Sequence, residues 1–363
     1  MRLLLAGGGT GGHLFPAVAL GQLLQQQDEN SAVLFIGTKR GLEQRLLPKL
    51  GLPLATVDMV GVVGRGWRGK LELVPKLTKS LIQAKIIMRN FKPDLVIGVG
   101  GYASVPVLLI AKMIGVPYLI HEQNAIPGLS NRLLGKWATT ICLSFANSGS
   151  GFNRNKTLVT GNPLRQGLET VPATVPQRGK LLIFGGSRGA HAINQAVLKM
   201  LPLLRDWNDR PEILHQTGEE DFLQVQQGYR DAGFAPEQVV PFIDDMAAAY
   251  ADASLVICRA GATTLAELAV CGRAAILIPF PHAAGDHQTA NAKALENAGA
   301  AISVPQSELV PESLAILLKN LWTDHQTLQS MADQGRQLGF PGAAERILNE
   351  ARRQLGIPLV EER

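Results

Sequence analysis

Leu3-Leu4-Leu5-Ala6-Gly7-Gly8-Gly9-Thr10-Gly11-Gly12-His13 opens the chain, and Leu14-Phe15-Pro16-Ala17-Val18-Ala19-Leu20 follows it. The apolar run predicts a strand, and the residues after the glycines have helical spacing with a proline in the first turn. Strand, glycine turn and helix is the expected geometry. Glycines carry no Cβ, so the backbone N–H groups of such a turn approach an oxyanion closely, and the helix N-terminus adds partial positive charge. The spacing Gly7-x-Gly9-x-x-Gly12 fits a dinucleotide fingerprint, a pattern that many tight βα turns also meet. His13 sets this turn apart, because it places a titratable group beside the anion cradle.

The theme returns in the second half. Lys180-Leu181-Leu182-Ile183-Phe184 reads as a strand, Gly185-Gly186-Ser187-Arg188-Gly189-Ala190 as its glycine turn, and a helix starts near His191. At 363 residues the chain exceeds the usual size of one core. A strand–turn–helix unit opening each half predicts an α/β protein of two Rossmann-like domains, their parallel sheets facing a central ligand cleft. The boundary is expected near Gly161-Asn162-Pro163, giving an N-terminal domain over 1–162 and a C-terminal domain over 163–342. Residues 171–177 are Pro-rich and read as a linker or surface loop. The tail 343–363, helical from Ala343 to Leu355, is expected to cross back to the first domain.

Hydrophobic residues make up 46% of the chain and charged residues 18%, enough apolar material for two cores. No apolar run reaches the roughly 18 residues of a membrane span, and residues 1–13 do not resemble a signal peptide, so a cytoplasmic protein is expected. Cys142, Cys258 and Cys271 have neither paired nor metal-ligand spacing, which suits buried thiols in a reducing compartment. The net charge of +5 conceals an asymmetry: residues 1–160 carry 18 Lys and Arg against 7 Asp and Glu, and the remainder 17 against 23. A basic first half predicts an anionic partner on that side: phosphate, nucleic acid or an anionic membrane surface.

Within the first half, Ala32–Ile36 reads as a strand ending at Gly37-Thr38-Lys39-Arg40. NAD binding would want Asp or Glu near this strand end; Lys39 and Arg40 suit at most a phosphorylated ribose. Pro93–Gly98 is a further strand, running into the glycine turn Gly100-Gly101-Tyr102-Ala103-Ser104 and an apolar helix over Val105–Met113. Val116–Ile120 is another and delivers His121-Glu122-Gln123-Asn124 at its C-terminal end, the end where open parallel sheets hold their ligands. The segment 64–92 combines Arg65, Trp67, Arg68 and Lys70 with a helix-like run from Leu71 to Phe91. Lys76, Lys79, Lys85, Arg89 and Lys92 there face one acid, Glu72, while Leu73, Leu77, Leu81, Ile82 and Ile86 recur at helical spacing. This is either a solvated helix packed on its sheet or a surface that docks on the cytoplasmic leaflet.

In the second half, Glu212–Gln216, Val239–Asp245 and Leu255–Cys258 read as strands, the second leading into a helix at Met246. Arg259-Ala260-Gly261-Ala262-Thr263-Thr264 then opens a helix bearing Glu267 one turn in, on the same side as the two threonines. Hydroxyls and N–H groups suit a phosphate, and a carboxylate suits vicinal ribose hydroxyls; a capped helix with a solvated Glu is the plainer alternative. The loop after Ala274–Pro279 carries His282, Asp286, His287 and Gln288. Their spacing does not make a metal set, and the chain has no Asp-x-Asp, so no protein-held metal is expected.

Taken in order, Gly8–His13, Gly100–Ser104, His121–Asn124, Gly161-Asn162-Pro163-Leu164-Arg165, Gly185–Ala190, Phe242–Met246, Arg259–Glu267 and His287-Gln288 span nearly the whole chain. This ordered set resembles the MurG family, GT-B glycosyltransferases that add N-acetylglucosamine to lipid-linked muramoyl-pentapeptide in bacterial cell-wall synthesis. The resemblance implies that UDP-N-acetylglucosamine is held by Ser187 at the diphosphate, Ile243 at the uracil, and the turn Ala262, Thr263, Thr264, Leu265, Ala266 and Glu267, with Glu267 on the ribose hydroxyls. Gln288 would meet the sugar, and Thr10, Gly11, Gly12, Asn124 and Arg165 would complete the donor site. Gly9, Gly100, Gly101, Tyr102, Ala103 and Ser104 would receive the acceptor diphosphate, and the 64–92 surface would sit on the membrane.

The implied chemistry is inverting displacement at the anomeric carbon without a cofactor, helix N-termini and Arg side chains stabilising the leaving diphosphate. His13 and Glu122 are the candidates for the base that takes the acceptor proton, His13 because a helix N-terminus disfavours its protonated form. Other readings are a different GT-B transferase such as a glycolipid synthase, or an NADP-dependent oxidoreductase using Lys39 and Arg40. A nucleic-acid partner is not expected, since Trp67 and Phe91 alone offer few stacking platforms in the basic segment.

Overall fold

The computed structural model describes residues 1–39, 41–59 and 73–360. Arg40, Arg65, Trp67, Arg68, Lys70 and Glu72 lie outside them. The chain divides into two units, the first made of Met1–Arg165 with Gly342–Arg363 and the second of Gln166–Pro341.

In the first unit, strands β1 (Arg2–Gly7), β2 (Ala32–Thr38), β3 (Leu54–Val57), β4 (Leu95–Gly100), β5 (Tyr118–Glu122), β6 (Thr140–Leu143) and β7 (Thr157–Val159) form one sheet. Its order is β3-β2-β1-β4-β5-β6-β7, and every pair is parallel. Leu3, Leu4 and Leu5 are all buried, as expected of a central strand covered on both faces, which reads as an unbroken apolar run. Helix Gly11–Gln27 covers one face through Leu14, Val18, Leu20 and Leu24. The terminal helix Ala343–Leu355 joins the same core through Ile347, Leu348 and Ala351. Polar side chains fix its seat: Thr140 Oγ1 donates to Glu350 Oε1 at 2.7 Å, and Arg352 Nη2 to Gln27 Oε1 at 2.6 Å.

The second unit repeats the plan with β8 (Lys180–Phe184), β9 (Glu212–Gln216), β10 (Val239–Val240), β11 (Ala253–Cys258), β12 (Ala275–Leu277) and β13 (Ala301–Ser303). The order is β10-β9-β8-β11-β12-β13, again all parallel. The strand expected over Val239–Asp245 is only two residues long, because Pro241 cannot donate to a ladder and Asp245 caps the next helix by accepting from Ala248 N at 2.9 Å. Both sheets therefore have Rossmann order, reversing direction between β1 and β4 in one and between β8 and β11 in the other. At such a switch point the loops after neighbouring strands diverge to opposite faces and leave a crevice for ligands.

Candidate functional site

In the first unit the crevice beyond β1 and β4 gathers residues far apart in sequence. Helix Gly11–Gln27 starts directly after the glycine turn, so His13 lies in its first turn, half-buried. The turn after β4 folds against it: a Cβ on Gly100 would stand 2.9 Å from the His13 ring, and one on Gly101 2.6 Å from the Gly8 carbonyl. Ser104 is buried and donates to Gly101 O at 2.8 Å, Ala103 is buried, and Tyr102 is exposed at the rim. Strand β5 brings Gln123 to His13, with Oε1 3.3 Å from Nδ1. Arg165 lays its guanidinium over the Phe15 ring at 4.4 Å. Thr10 and Gly12 are exposed, whereas Gly11 is buried.

Glu122 occupies a different environment from His13. It is 1% exposed. Its Oε1 accepts from Asn124 N at 3.0 Å and Asn124 Nδ2 at 3.3 Å, and its Oε2 from Asn131 Nδ2 at 2.8 Å and Gly128 N at 3.0 Å. Four N–H donors on one carboxylate tie the 123–131 loop to the end of β5. Asn124 is thereby held as well, and its carbonyl accepts from Ser148 Oγ at 2.8 Å.

One acid escaped the sequence reading. Glu43, fully buried at the start of helix Glu43–Lys49, reaches the end of β2, accepting from Thr38 N at 2.7 Å and Thr38 Oγ1 at 3.0 Å. Its second oxygen accepts from Gly9 N at 2.9 Å, and a Cβ on Gly8 would meet the carboxylate at 2.8 Å. The carboxylate thus occupies the Rossmann strand end while bonded to the first glycine turn. A pattern of Thr38, Lys39 and Arg40 concealed it, since only folding carries Glu43 back to Gly9.

In the second unit the corresponding crevice lies beyond β8 and β11. Ser187 is half-buried in the turn, whose Gly186 carbonyl accepts from Gln216 Nε2 at 2.7 Å and from Gly189 N at 2.9 Å. Beneath the turn, Asn194 Nδ2 donates to Thr217 O at 3.0 Å and Asp221 Oδ2 at 2.7 Å, leaving its Oδ1 for His215 Nε2 at 3.1 Å. The Tyr229 hydroxyl donates to His215 Nδ1 at 3.0 Å. Burial pushes His215 down to about 3, so its ring is neutral. None of Gln216, Asn194 and His215 was marked from sequence.

After β11, helix Ala262–Cys271 begins at Gly261, with Ala262, Thr263 and Leu265 buried and Thr264 and Ala266 partly so. Glu267 is not the solvated residue of the plainer reading: it is 2% exposed and accepts from the Tyr250 hydroxyl at 3.1 Å. Ile243 is buried, and Gln288 accepts from Phe280 N at 3.0 Å through Oε1. Among the described residues no three His, Cys, Asp or Glu side chains are grouped as a metal set. No helix among them is long and apolar enough to cross a membrane.

Residues 3–143 match the glycosyltransferase family 28 N-terminal domain, and residues 180–347 match the family's C-terminal domain. On two parallel sheets of Rossmann order these matches define a two-domain glycosyltransferase of GT-B fold. The chain is 56% identical over 356 residues to the UDP-N-acetylglucosamine–N-acetylmuramyl-(pentapeptide) pyrophosphoryl-undecaprenol N-acetylglucosamine transferase of Syntrophotalea carbinolica, covering 98% of this chain and 99% of that protein. It is 47% identical over 353 residues to the transferase of the same name from Syntrophus aciditrophicus, covering 96% and 97%. Among solved structures, MurG of Acinetobacter baumannii matches with a TM-score of 0.76 at 36% identity, covering 97% of this chain and 99% of that one. The chain belongs to the MurG family of glycosyltransferases.

Proposed function

We infer that the protein transfers N-acetylglucosamine from UDP-N-acetylglucosamine to the muramoyl 4-hydroxyl of undecaprenyl-diphospho-N-acetylmuramoyl-pentapeptide, lipid I, yielding lipid II for peptidoglycan synthesis. The observation that carries this is 56% identity to such a transferase over 98% of the chain, a span that includes both crevices. The bond from muramoyl O4 to the anomeric carbon forms opposite the departing UDP. The bond from that carbon to the diphosphate oxygen breaks, its electron pair staying on UDP, and the O4 proton passes to a base. His13 is the base in this reading. It stands in the crevice, whereas both oxygens of Glu122 are already engaged by N–H donors.

The second crevice takes the donor. The 185–190 turn with Ser187 and the start of helix Ala262–Cys271 with Thr263 and Thr264 face the diphosphate, where N–H groups and the helix dipole favour negative charge. Glu267 takes the ribose hydroxyls, its orientation supported by Tyr250. Ile243 packs on the uracil, and Gln288 addresses the sugar. The acceptor diphosphate lies on the Gly100–Ser104 turn; Gly9, whose N–H already donates to Glu43, contributes space there and no hydrogen bond. The decisive assay offers labelled UDP-N-acetylglucosamine and a short-chain lipid-linked muramoyl-pentapeptide. Label should enter the lipid product with one UDP released per transfer. No transfer, together with tight NADPH binding and no response of tryptophan fluorescence to the UDP-sugar, would replace this reading with the oxidoreductase one.

Access to a lipid-linked acceptor calls for a peripheral position on the cytoplasmic leaflet. Helix Leu73–Phe91 supports it, with Lys79, Ile82, Ile86 and Arg89 on one exposed stripe and the two isoleucines 57% and 54% exposed. Apolar and basic residues together form an interfacial surface. Lys79 is partly engaged, because its Nζ lies 2.6 Å from Asp58 Oδ2. Hydrogen bonds from Lys79 and Lys39 hold the Asp58 carboxyl well below the usual carboxylate range. Lys85 and Arg89 are therefore the better probes. Reversing both to Glu should weaken binding to vesicles containing phosphatidylglycerol at least tenfold, since each basic residue near an anionic surface contributes about 1 kcal/mol. Wild-type binding should fall with added salt. Unchanged co-sedimentation of the reversed variant would return this stripe to an ordinary solvated helix face.

A further inference from the structure

Gln123 is buried between two histidines, and its hydrogen bonds determine which nitrogen of each carries a proton. Its Nε2 lies 2.8 Å from the Val99 carbonyl, which only accepts, so this end of the amide is the NH2 group. The reversed amide would set two oxygens against each other at that distance. The same Nε2 is 3.0 Å from His121 Nδ1, which must then accept. His121 accordingly carries its proton on Nε2, where the Gly161 carbonyl at 3.2 Å receives it and the Ser144 hydroxyl stands at 3.2 Å. Burial pushes His121 down to about 4, in keeping with a neutral ring.

The other end of the amide follows by elimination. Gln123 Oε1 has no hydrogen to give, and it faces His13 Nδ1 at 3.3 Å. His13 Nδ1 therefore carries a proton, and in the neutral form of the ring the lone pair is on Nε2.

We propose that Gln123 is a positioning residue of the transfer reaction: backed by His121 and Val99, it fixes His13 as the Nδ1–H tautomer and so presents Nε2 as the proton acceptor. This rests on the reading of His13 as base. The logic is that of a histidine oriented by a hydrogen-bond acceptor behind it, with a neutral amide where a carboxylate often serves. The neutral amide has a consequence of its own. A carboxylate would stabilise imidazolium and raise the pH below which the base is protonated; an amide fixes the tautomer without that charge.

The test uses full-length protein labelled with ¹⁵N-histidine. Long-range ¹H–¹⁵N correlations distinguish the two tautomers of a neutral ring, and with 7 histidines in the chain the His13 signals are assigned by their loss in His13→Ala. Wild-type His13 should show a protonated Nδ1 and an unprotonated Nε2; the opposite tautomer overturns the proposal, whatever any variant does. Gln123→Leu should populate the second tautomer and lower kcat about 10-fold or more, with UDP-N-acetylglucosamine affinity held within about twofold. Gln123→Glu should move the acid limb of the kcat–pH profile to higher pH, which a merely structural residue would not do. A Gln123→Leu protein with wild-type tautomer and kcat would also overturn it. Should His13 prove to be the Nδ1–H tautomer while His13→Ala retains full kcat, the base reading fails and the geometry of Gln123 stands.

Discussion

His13→Ala is expected to lower kcat by about 10²-fold or more at saturating UDP-N-acetylglucosamine, with donor affinity held within about twofold. The size follows from the work assigned to the ring, since general-base transfer contributes about 10²–10⁴-fold. Glu122 stands closest in sequence to that role, but its position imposes a different signature. Its carboxylate accepts four N–H donors while buried. Glu122→Gln keeps the shape but turns an NH2 group toward at least one N–H of Asn124, Gly128 or Asn131. A buried donor left unpaired costs about 1–3 kcal/mol, so this variant should lose thermal stability and loop order first and activity second. The two variants are compared by steady-state kinetics with Tm and a UDP titration on the same preparations. A Glu122→Gln enzyme with wild-type Tm and a loss of kcat exceeding that of His13→Ala would transfer the base role to Glu122. A His13→Ala enzyme that merely raises KM would remove it from His13.

The parts of this molecule legible in the sequence are those whose signal is local. Leu3–Leu5 and Leu181–Ile183 read as strands because central parallel strands are apolar on both faces, and the glycines after them mark where the chain turns into a helix. The ordered motifs carried the family. Short outer strands were not legible: Leu54–Val57, Thr157–Val159 and Ala301–Ser303 at sheet edges and Thr140–Leu143 next to one span three or four residues each, too few to display a period. Side-chain roles created by folding were equally hidden. Glu43 looks like any helix-start acid until its chain returns to Gly9, 34 residues earlier. Gln123 looks like a spacer within His121–Asn124 until β4 supplies the Val99 carbonyl and the first helix supplies His13. Glu267 was legible as a residue one turn into a helix, but its burial against Tyr250 depends on a helix 17 residues away.

Gly189→Ala should disrupt the second unit far more than Gly186→Ala, although the two glycines share one turn and both have positive φ. Gly186 has φ +90° and Gly189 φ +75°, so an L side chain at either one costs about 1–2 kcal/mol of backbone energy. What differs is the space outside. A Cβ on Gly186 would meet nothing within 4 Å, whereas one on Gly189 would fall 1.7 Å from the Thr217 carbonyl oxygen. That oxygen cannot yield cheaply. It is backbone, it accepts from Asn194 Nδ2 at 3.0 Å, and the Thr217 amide donates to Val240 O at 3.0 Å. The approach is mutual, since a Cβ on Gly218 would come within 2.1 Å of the Arg188 carbonyl. Relieving such an overlap costs about 1–3 kcal/mol or more beyond the φ term. For a unit of this size each kcal/mol lowers Tm by about 2–4 °C. Gly186→Ala should therefore lose only a few degrees, and Gly189→Ala on the order of 10 °C. Because the shifted loop is the one proposed to face the donor diphosphate, Gly189→Ala should also weaken UDP binding at least tenfold under conditions where the unit remains folded. Scanning calorimetry with and without UDP measures both effects. Equal losses for the two variants would mean that the 185–190 turn and the 217–218 backbone do not interlock in solution.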